Sequence, residues 1–156
     1  MLRAFIFTYL FICPAIWAAG MPIEDNFQHS YQEKGTSELG QSKVVLVLVS
    51  QPNCSYCIQI TEEILKPMLI SGHYDNTTVF SELEINTGRI IKDFSGIETD
   101  ATAFAQRYNA WATPTLLFLN SKGEEIAEKM VGINTIDLYG YYVDKALRIA
   151  HKKINP

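Results

Sequence analysis

The chain has little that would tie it to nucleic acid, to a metal or to a cross-linked scaffold. Only three of its 156 residues are cysteine and three are histidine. His29, His73 and His151 stand far apart, without the paired spacing that metal ligands need. No basic run occurs outside the extreme C-terminus and the formal net charge is −4, which counts against a nucleic-acid or anionic-membrane surface. Internal repeats and low-complexity segments are absent. So few cysteines cannot build a disulfide scaffold, and a domain of this length does not require one. What remains is an ordinary globular composition, 47% hydrophobic and 19% charged, enough for one domain with a core.

The long apolar run lies at the start. Residues 1–20, "MLRAFIFTYLFICPAIWAAG", carry Arg3 as their only charge and end in small residues. That is the layout of a secretory signal peptide, with cleavage after Ala18 or Gly20. The alternative is an uncleaved membrane anchor, but the run is short for a bilayer span and Pro14 interrupts it. Cys13 leaves with the signal, because Ile12 is too bulky for a lipoprotein cleavage site. Loss of Arg3 leaves 12 basic against 17 acidic residues, a mature charge of −5. The expectation is a periplasmic protein, free of the membrane after cleavage. Asn53-Cys54-Ser55 and Asn76-Thr77-Thr78 match the glycosylation pattern, which matters only in a eukaryotic secretory pathway.

Residues 21–42 read as a polar N-terminal extension with a short helix over 26–34, and residues 43–156 as the folded domain. "KVVLVLVS", residues 43–50, is β-branched without alternation, the pattern of a strand buried on both faces. Residues 55–65 have helical spacing, with Ile58, Ile60, Ile64 and Leu65 as core positions and Glu62 and Glu63 outside. Lys66-Pro67 predicts a kink or pause, since the residue before proline disfavours helical geometry. A second strand over 77–85 alternates Val79, Leu83 and Ile85 with polar residues, and 86–99 reads as a loop or hairpin. Thr99 or Asp100 caps a helix to about Tyr108, with Ala103, Phe104 and Tyr108 inward. "TLLFL", 115–119, is another buried strand, joined through "NSKG" to a hairpin partner over 124–131. A last helix from Asn134 or Thr135 to about Ala150 turns Ile136, Val143 and Leu147 to one side. This order gives an α/β domain: a mixed sheet with helices on both faces.

"QPNCSYCIQITEEIL", 51–65, holds the chemistry. A thiol is a nucleophile only as a thiolate, and the first turn of a helix favours the anion through its free N–H groups and positive dipole end. Cys54 sits at that turn, and the offset of three brings Cys57 within disulfide reach on the same side. Cys54 would be the attacking sulfur and Cys57 the partly buried resolver. Zinc would need two further ligands that the scattered histidines do not provide. Haem attachment fails because residue 58 is Ile. A purely structural disulfide stays open, although so small a loop constrains the unfolded chain little.

"YNAWATPTLLFL", 108–119, places Pro114 directly before a buried strand. A cis Thr113-Pro114 bond costs only about 0.5–1 kcal/mol over trans, so a tight turn can hold it and leave Thr113 free to pair with an extended peptide. An ordinary trans proline at a strand start is the competing reading. Tyr56 between the cysteines and Trp111 near Thr113 are candidate substrate contacts, with an interior role equally open for Trp111. Tyr139, Tyr141 and Tyr142 read as packing residues.

Together "CSYC" after "VVLVLVS", "ATPT" before "LLFL", the "NSKGEEI" hairpin and "VGINTIDLYGYYVDKAL" resemble the thioredoxin superfamily over about residues 40–150. The likeness is nearest to periplasmic thioredoxin-like proteins, including those associated with sulfur oxidation, where CxYC and TPT also occur. It implies a thioredoxin fold and a thiol–disulfide oxidoreductase. Cys54 would be nucleophile, Cys57 resolver, Pro114 the cis-proline facing them and Thr113 a substrate-backbone contact, with Gly132 near the same surface. No cofactor or metal is implied, and the partners would be protein or small-molecule disulfides and a redox partner protein. Two positions depart from the pattern. Asn53 replaces the Trp that thioredoxins carry before the first cysteine, and Leu48 occupies the place of their buried acid. Glu82 and Glu84 are candidates for the missing acid, although glutamates on solvated strand faces are the commoner case. With no acid or histidine between the cysteines, a reductase is favoured over an oxidant. A redox-inert peptide-binding module and a specialised reductant for cytochrome c maturation are the alternatives.

Overall fold

The computed structural model describes residues 21–156, so the signal peptide expected over residues 1–20, with Cys13, lies outside the described residues. The elements run α1 (Phe27–Lys34), β1 (Val44–Ser50), α2 (Ser55–Ile60), a π-helical turn (Thr61–Leu65), α3 (Lys66–Ile70), β2 (Thr78–Glu84), β3 (Ile90–Lys92), β4 (Glu98–Asp100), α4 (Ala101–Arg107), β5 (Thr115–Leu119), β6 (Met130–Val131) and α5 (Ile136–Ile154). The main sheet has the order β2-β1-β5-β6, with β1 parallel to β2 and antiparallel to β5. β3 and β4 form a separate hairpin in the predicted loop region.

Every residue of β1 and β5 is buried, as expected for central strands without alternation. One face of the sheet, with Leu46, Leu48, Phe80, Leu116 and Phe118, packs on Ile60 and Leu65 below the cysteines and on Tyr139, Val143 and Leu147 of α5. The opposite face, with Val45, Val47, Val49 and Leu117, packs on Phe27 of α1 and Phe104 of α4. The mixed sheet with helices on both faces is the predicted architecture. Residues 22–24 lie along the outer edge of β2, where Glu24 N–H donates to Glu82 O and Glu82 N–H to Pro22 O, both at 2.8 Å.

Four local expectations are corrected. Ile58 is 62% exposed, because the buried face of its helix runs through Cys57, Ile60 and Leu65. Ala103 is exposed while Ala101, Phe104 and Ala105 are buried, the three- and four-residue spacing being set from Ala101 after the Asp100 cap. The helix does not pause at Lys66-Pro67. Lys66 keeps helical angles and donates to Thr61 O five residues back, so a π turn takes up the proline and the helix continues to Ile70. The strand predicted over 124–131 shrinks to Met130–Val131, paired with Leu116 and Thr115, plus a bridge between Glu125 and Leu119. Between these contacts four residues oppose two; Ile126 N–H still donates to Phe118 O at 2.9 Å, and the resulting bulge lifts 127–129 out of the ladder.

Candidate active site

Ser50 ends β1, and four residues later the chain reaches Cys54, the N-cap of the cysteine helix. Asn53 takes φ 61°, a left-handed conformation that asparagine tolerates, and this turns the chain so that Cys54 becomes the N-cap. The Cys57 backbone N–H donates to Cys54 Sγ at 3.1 Å, so the sulfur takes the place of a capping oxygen. Cys54 and Cys57 are joined as a disulfide with Cα atoms 5.2 Å apart. Cys54 is half-buried and Cys57 only 4% exposed. Cys54 is thus the more open residue of the pair and Cys57 the shielded one.

The Thr113–Pro114 peptide bond is cis. Val49 pairs with Thr115, so Pro114 stands one step further along, at the end of the sheet where the cysteine loop leaves β1. Gly132 N–H donates to Pro114 O at 2.8 Å, and the Thr115 hydroxyl donates to Ala112 O at 2.7 Å. Gly132 has φ 67°, which a side chain would strain. Pro114 is buried and Thr113 half-buried. Tyr56 and Trp111 are 62% and 75% exposed, which settles Trp111 on the surface.

A cleft of about 260 Å³ opens beside the disulfide, lined chiefly by Ser50, Cys54, Cys57, Thr61, Glu62, Glu82 and Glu84. Tyr56, Trp111, Thr113 and Pro114 are not in its wall. A larger cleft, about 710 Å³, lies elsewhere, between the β6 edge and α5, and holds no cysteine. Glu82 is half-buried rather than solvated. The Ser50 hydroxyl donates to its Oε1 at 2.6 Å. Burial raises the Glu82 pKa above the ordinary carboxylate value, the Ser50 bond pulls it down, and the neighbouring Glu84 charge adds to the rise. Ser50 carried no sequence signal of its own beyond being a hydroxyl at the end of an apolar strand. Among the described residues no group of three or more His, Cys, Asp or Glu side chains is placed to hold a metal ion.

Comparison with known proteins agrees with this geometry. Residues 32–146 match the family of the thioredoxin-like domain. No curated protein matches the chain significantly. Among solved structures, spinach chloroplast thioredoxin f superposes with a TM-score of 0.53 at 15% identity, covering 85% of this chain and 96% of that one. A protein described as DsbH oxidoreductase gives 0.51 at 17%, covering 86% and 89%. Thioredoxin of Fasciola hepatica gives 0.50 at 14%, covering 82% and 97%. At these identities the superpositions establish the thioredoxin fold. The chain belongs to the thioredoxin-like domain family, and its Cys54–Cys57 pair gives it the chemistry of a thiol–disulfide oxidoreductase.

Proposed function

We propose that the protein is an exported, periplasmic thiol–disulfide oxidoreductase that works as a disulfide reductase. One observation carries this reading: a disulfide in which the half-buried Cys54 caps a helix with its sulfur while Cys57 is buried. The reduced Cys54 thiolate attacks a substrate disulfide, a mixed disulfide forms, and Cys57 displaces the substrate. The free N–H groups of the first helical turn favour the thiolate over the thiol.

Substrate binding follows from the neighbouring turn. Among the described residues the Thr113 backbone makes no hydrogen bond, while Pro114 O is already occupied by Gly132. An extended segment of a protein substrate therefore pairs with Thr113, and the exposed Tyr56 and Trp111 supply apolar contact. The signal-like residues 1–20 support export, and among the described residues no helix is long and apolar enough to cross a membrane. The test is Cys54→Ser in a reduction assay with insulin as the disulfide. Activity falls to background if the reading is right, and full activity in that variant would refute it.

A further inference from the structure

Cys57 cannot attack until it loses its proton, and at 4% exposure bulk water reaches it poorly. β1, which leads to the pair, offers no acid. Its sequence is VVLVLVS and every residue is buried. The parallel register, however, sets Leu48 beside Glu82 on β2. Leu48 and Phe80, the latter two residues before Glu82, belong to the core under the cysteine helix, so Glu82 lies on that same side of the sheet. It shares the cleft with both cysteines, and the Ser50 hydroxyl fixes its carboxylate at 2.6 Å. About 260 Å³ holds several waters at about 30 Å³ each, enough for a relay from sulfur to oxygen. On the outer side, the bonds from Glu24 N–H and to Pro22 O pin the Glu82 backbone.

We propose that Glu82, held by Ser50, is the proton acceptor of the Cys57 thiol, acting through water in the shared cleft. The assignment rests on the thiol–disulfide reading above. The Cys54 thiolate attacks RS–SR′, giving Cys54–S–SR and R′S⁻. Glu82 takes the Cys57 proton, and the Cys57 sulfur bonds to Cys54 Sγ while the bond to SR breaks and RS⁻ leaves with the electron pair. The substrate gains two electrons and the cysteine pair loses two. Glu82 then returns its proton to the solvent or to RS⁻.

The charged groups around Glu82 are acidic. Glu84 follows on the same strand with Arg89 at 4.0 Å, Glu62 reaches in from the π turn with Lys66 at 3.0 Å, and Glu24 on the N-terminal segment caps Asn26 N–H at 2.8 Å. No Lys, Arg or His lines the cleft, and Lys66 and Arg89 are engaged by Glu62 and Glu84 of its wall. Burial among acids suits an acceptor that must work near neutral pH.

The test is single-turnover reduction of insulin by the pre-reduced protein, acid-quenched from pH 5 to 9. Glu82→Gln resolves the mixed disulfide about a hundredfold more slowly at pH 7, the low end of general-base effects. The intermediate accumulates, Cys54 alkylation by iodoacetamide keeps its rate, and the deficit closes as pH rises towards the ordinary thiol range. Ser50→Ala moves the midpoint of the resolution profile upward, because its bond favours the ionised carboxylate. Circular dichroism and thermal melts establish that each variant is folded. A wild-type resolution rate and pH profile in Glu82→Gln overturns the assignment, as does an unmoved midpoint in Ser50→Ala. If Glu82→Gln is normal while Cys54→Ser is dead, only this assignment fails. An active Cys54→Ser removes the function with it.

Discussion

Reducing the Cys54–Cys57 disulfide lowers the stability of the fold, and the size of that loss bears on the direction of catalysis. The bridge joins residues three apart, closing a loop of about four residues. In the chain-entropy treatment such a loop stabilises the oxidised fold by about 1.9 kcal/mol, through the unfolded state. The reduced form regains part of this, since a Cys54 thiolate at the helix start is worth about 0.3–1 kcal/mol. The balance leaves the oxidised protein more stable by about 1–1.5 kcal/mol, or about 3–6 °C in melting temperature. By linkage the native couple is then about 20–30 mV more reducing than the same cysteines in an unfolded chain. Urea unfolding of the oxidised protein, and of the dithiol kept under excess reductant, measures the difference directly. A reduced form as stable as the oxidised one, or more so, would refute the reasoning and point to an oxidant, whose reduced state is the stabilised one.

Two further outcomes follow from single side chains. Asp93 is buried and anchors the β3–β4 turn, accepting from Arg107 at 2.7 Å and from the Ser95 and Ile97 N–H groups at 2.9 and 3.0 Å. Burial alone would raise its pKa, but these bonds outweigh it and hold the carboxyl below its ordinary value. Its contribution is therefore present above the unfolded-state pKa and is lost as pH falls through the lower folded value. Asp93→Ala costs about 2–4 kcal/mol at pH 7 by leaving the turn donors unpaired, whereas Asp93→Asn keeps those acceptors and costs about 1 kcal/mol, Arg107 being half exposed. Equal losses in the two variants, from urea curves at pH 7 and pH 3, would contradict this. Trp111→Ala changes stability by less than about 0.5 kcal/mol, since the ring is 75% exposed. It raises KM for insulin about tenfold and leaves a small-molecule disulfide unaffected, and parallel effects on both substrates would remove Trp111 from the peptide surface.

The parts of the fold that were legible in the sequence are those set by local composition. "VVLVLVS" and "TLLFL" announce strands covered on both faces because nothing in them is polar enough to meet water, and the cysteine pair falls between the first strand and a helix. What was hidden depends on phase or on distant partners. Ile58 and Ala103 are apolar, but their burial depends on which residue opens the helix, and that is set by the Cys54 and Asp100 caps. The π turn at Thr61 reconciles Pro67 with a continuing helix, a solution that proline punctuation does not reveal. The β6 bulge needs the length of β5 as well as its own residues. Glu82 was legible as a glutamate on a strand. Its partnership with Ser50 and its place beside Leu48 arise from the β1–β2 register, which no local pattern encodes.

Whether Cys54 and Cys57 form a reducing couple is tested most directly by the reduction potential of the purified protein. Equilibration against glutathione or dithiothreitol buffers, read by thiol alkylation, gives the value. A reducing couple has a potential near that of thioredoxin, about −270 mV. A value near −120 mV, that of a strong oxidant, would contradict it.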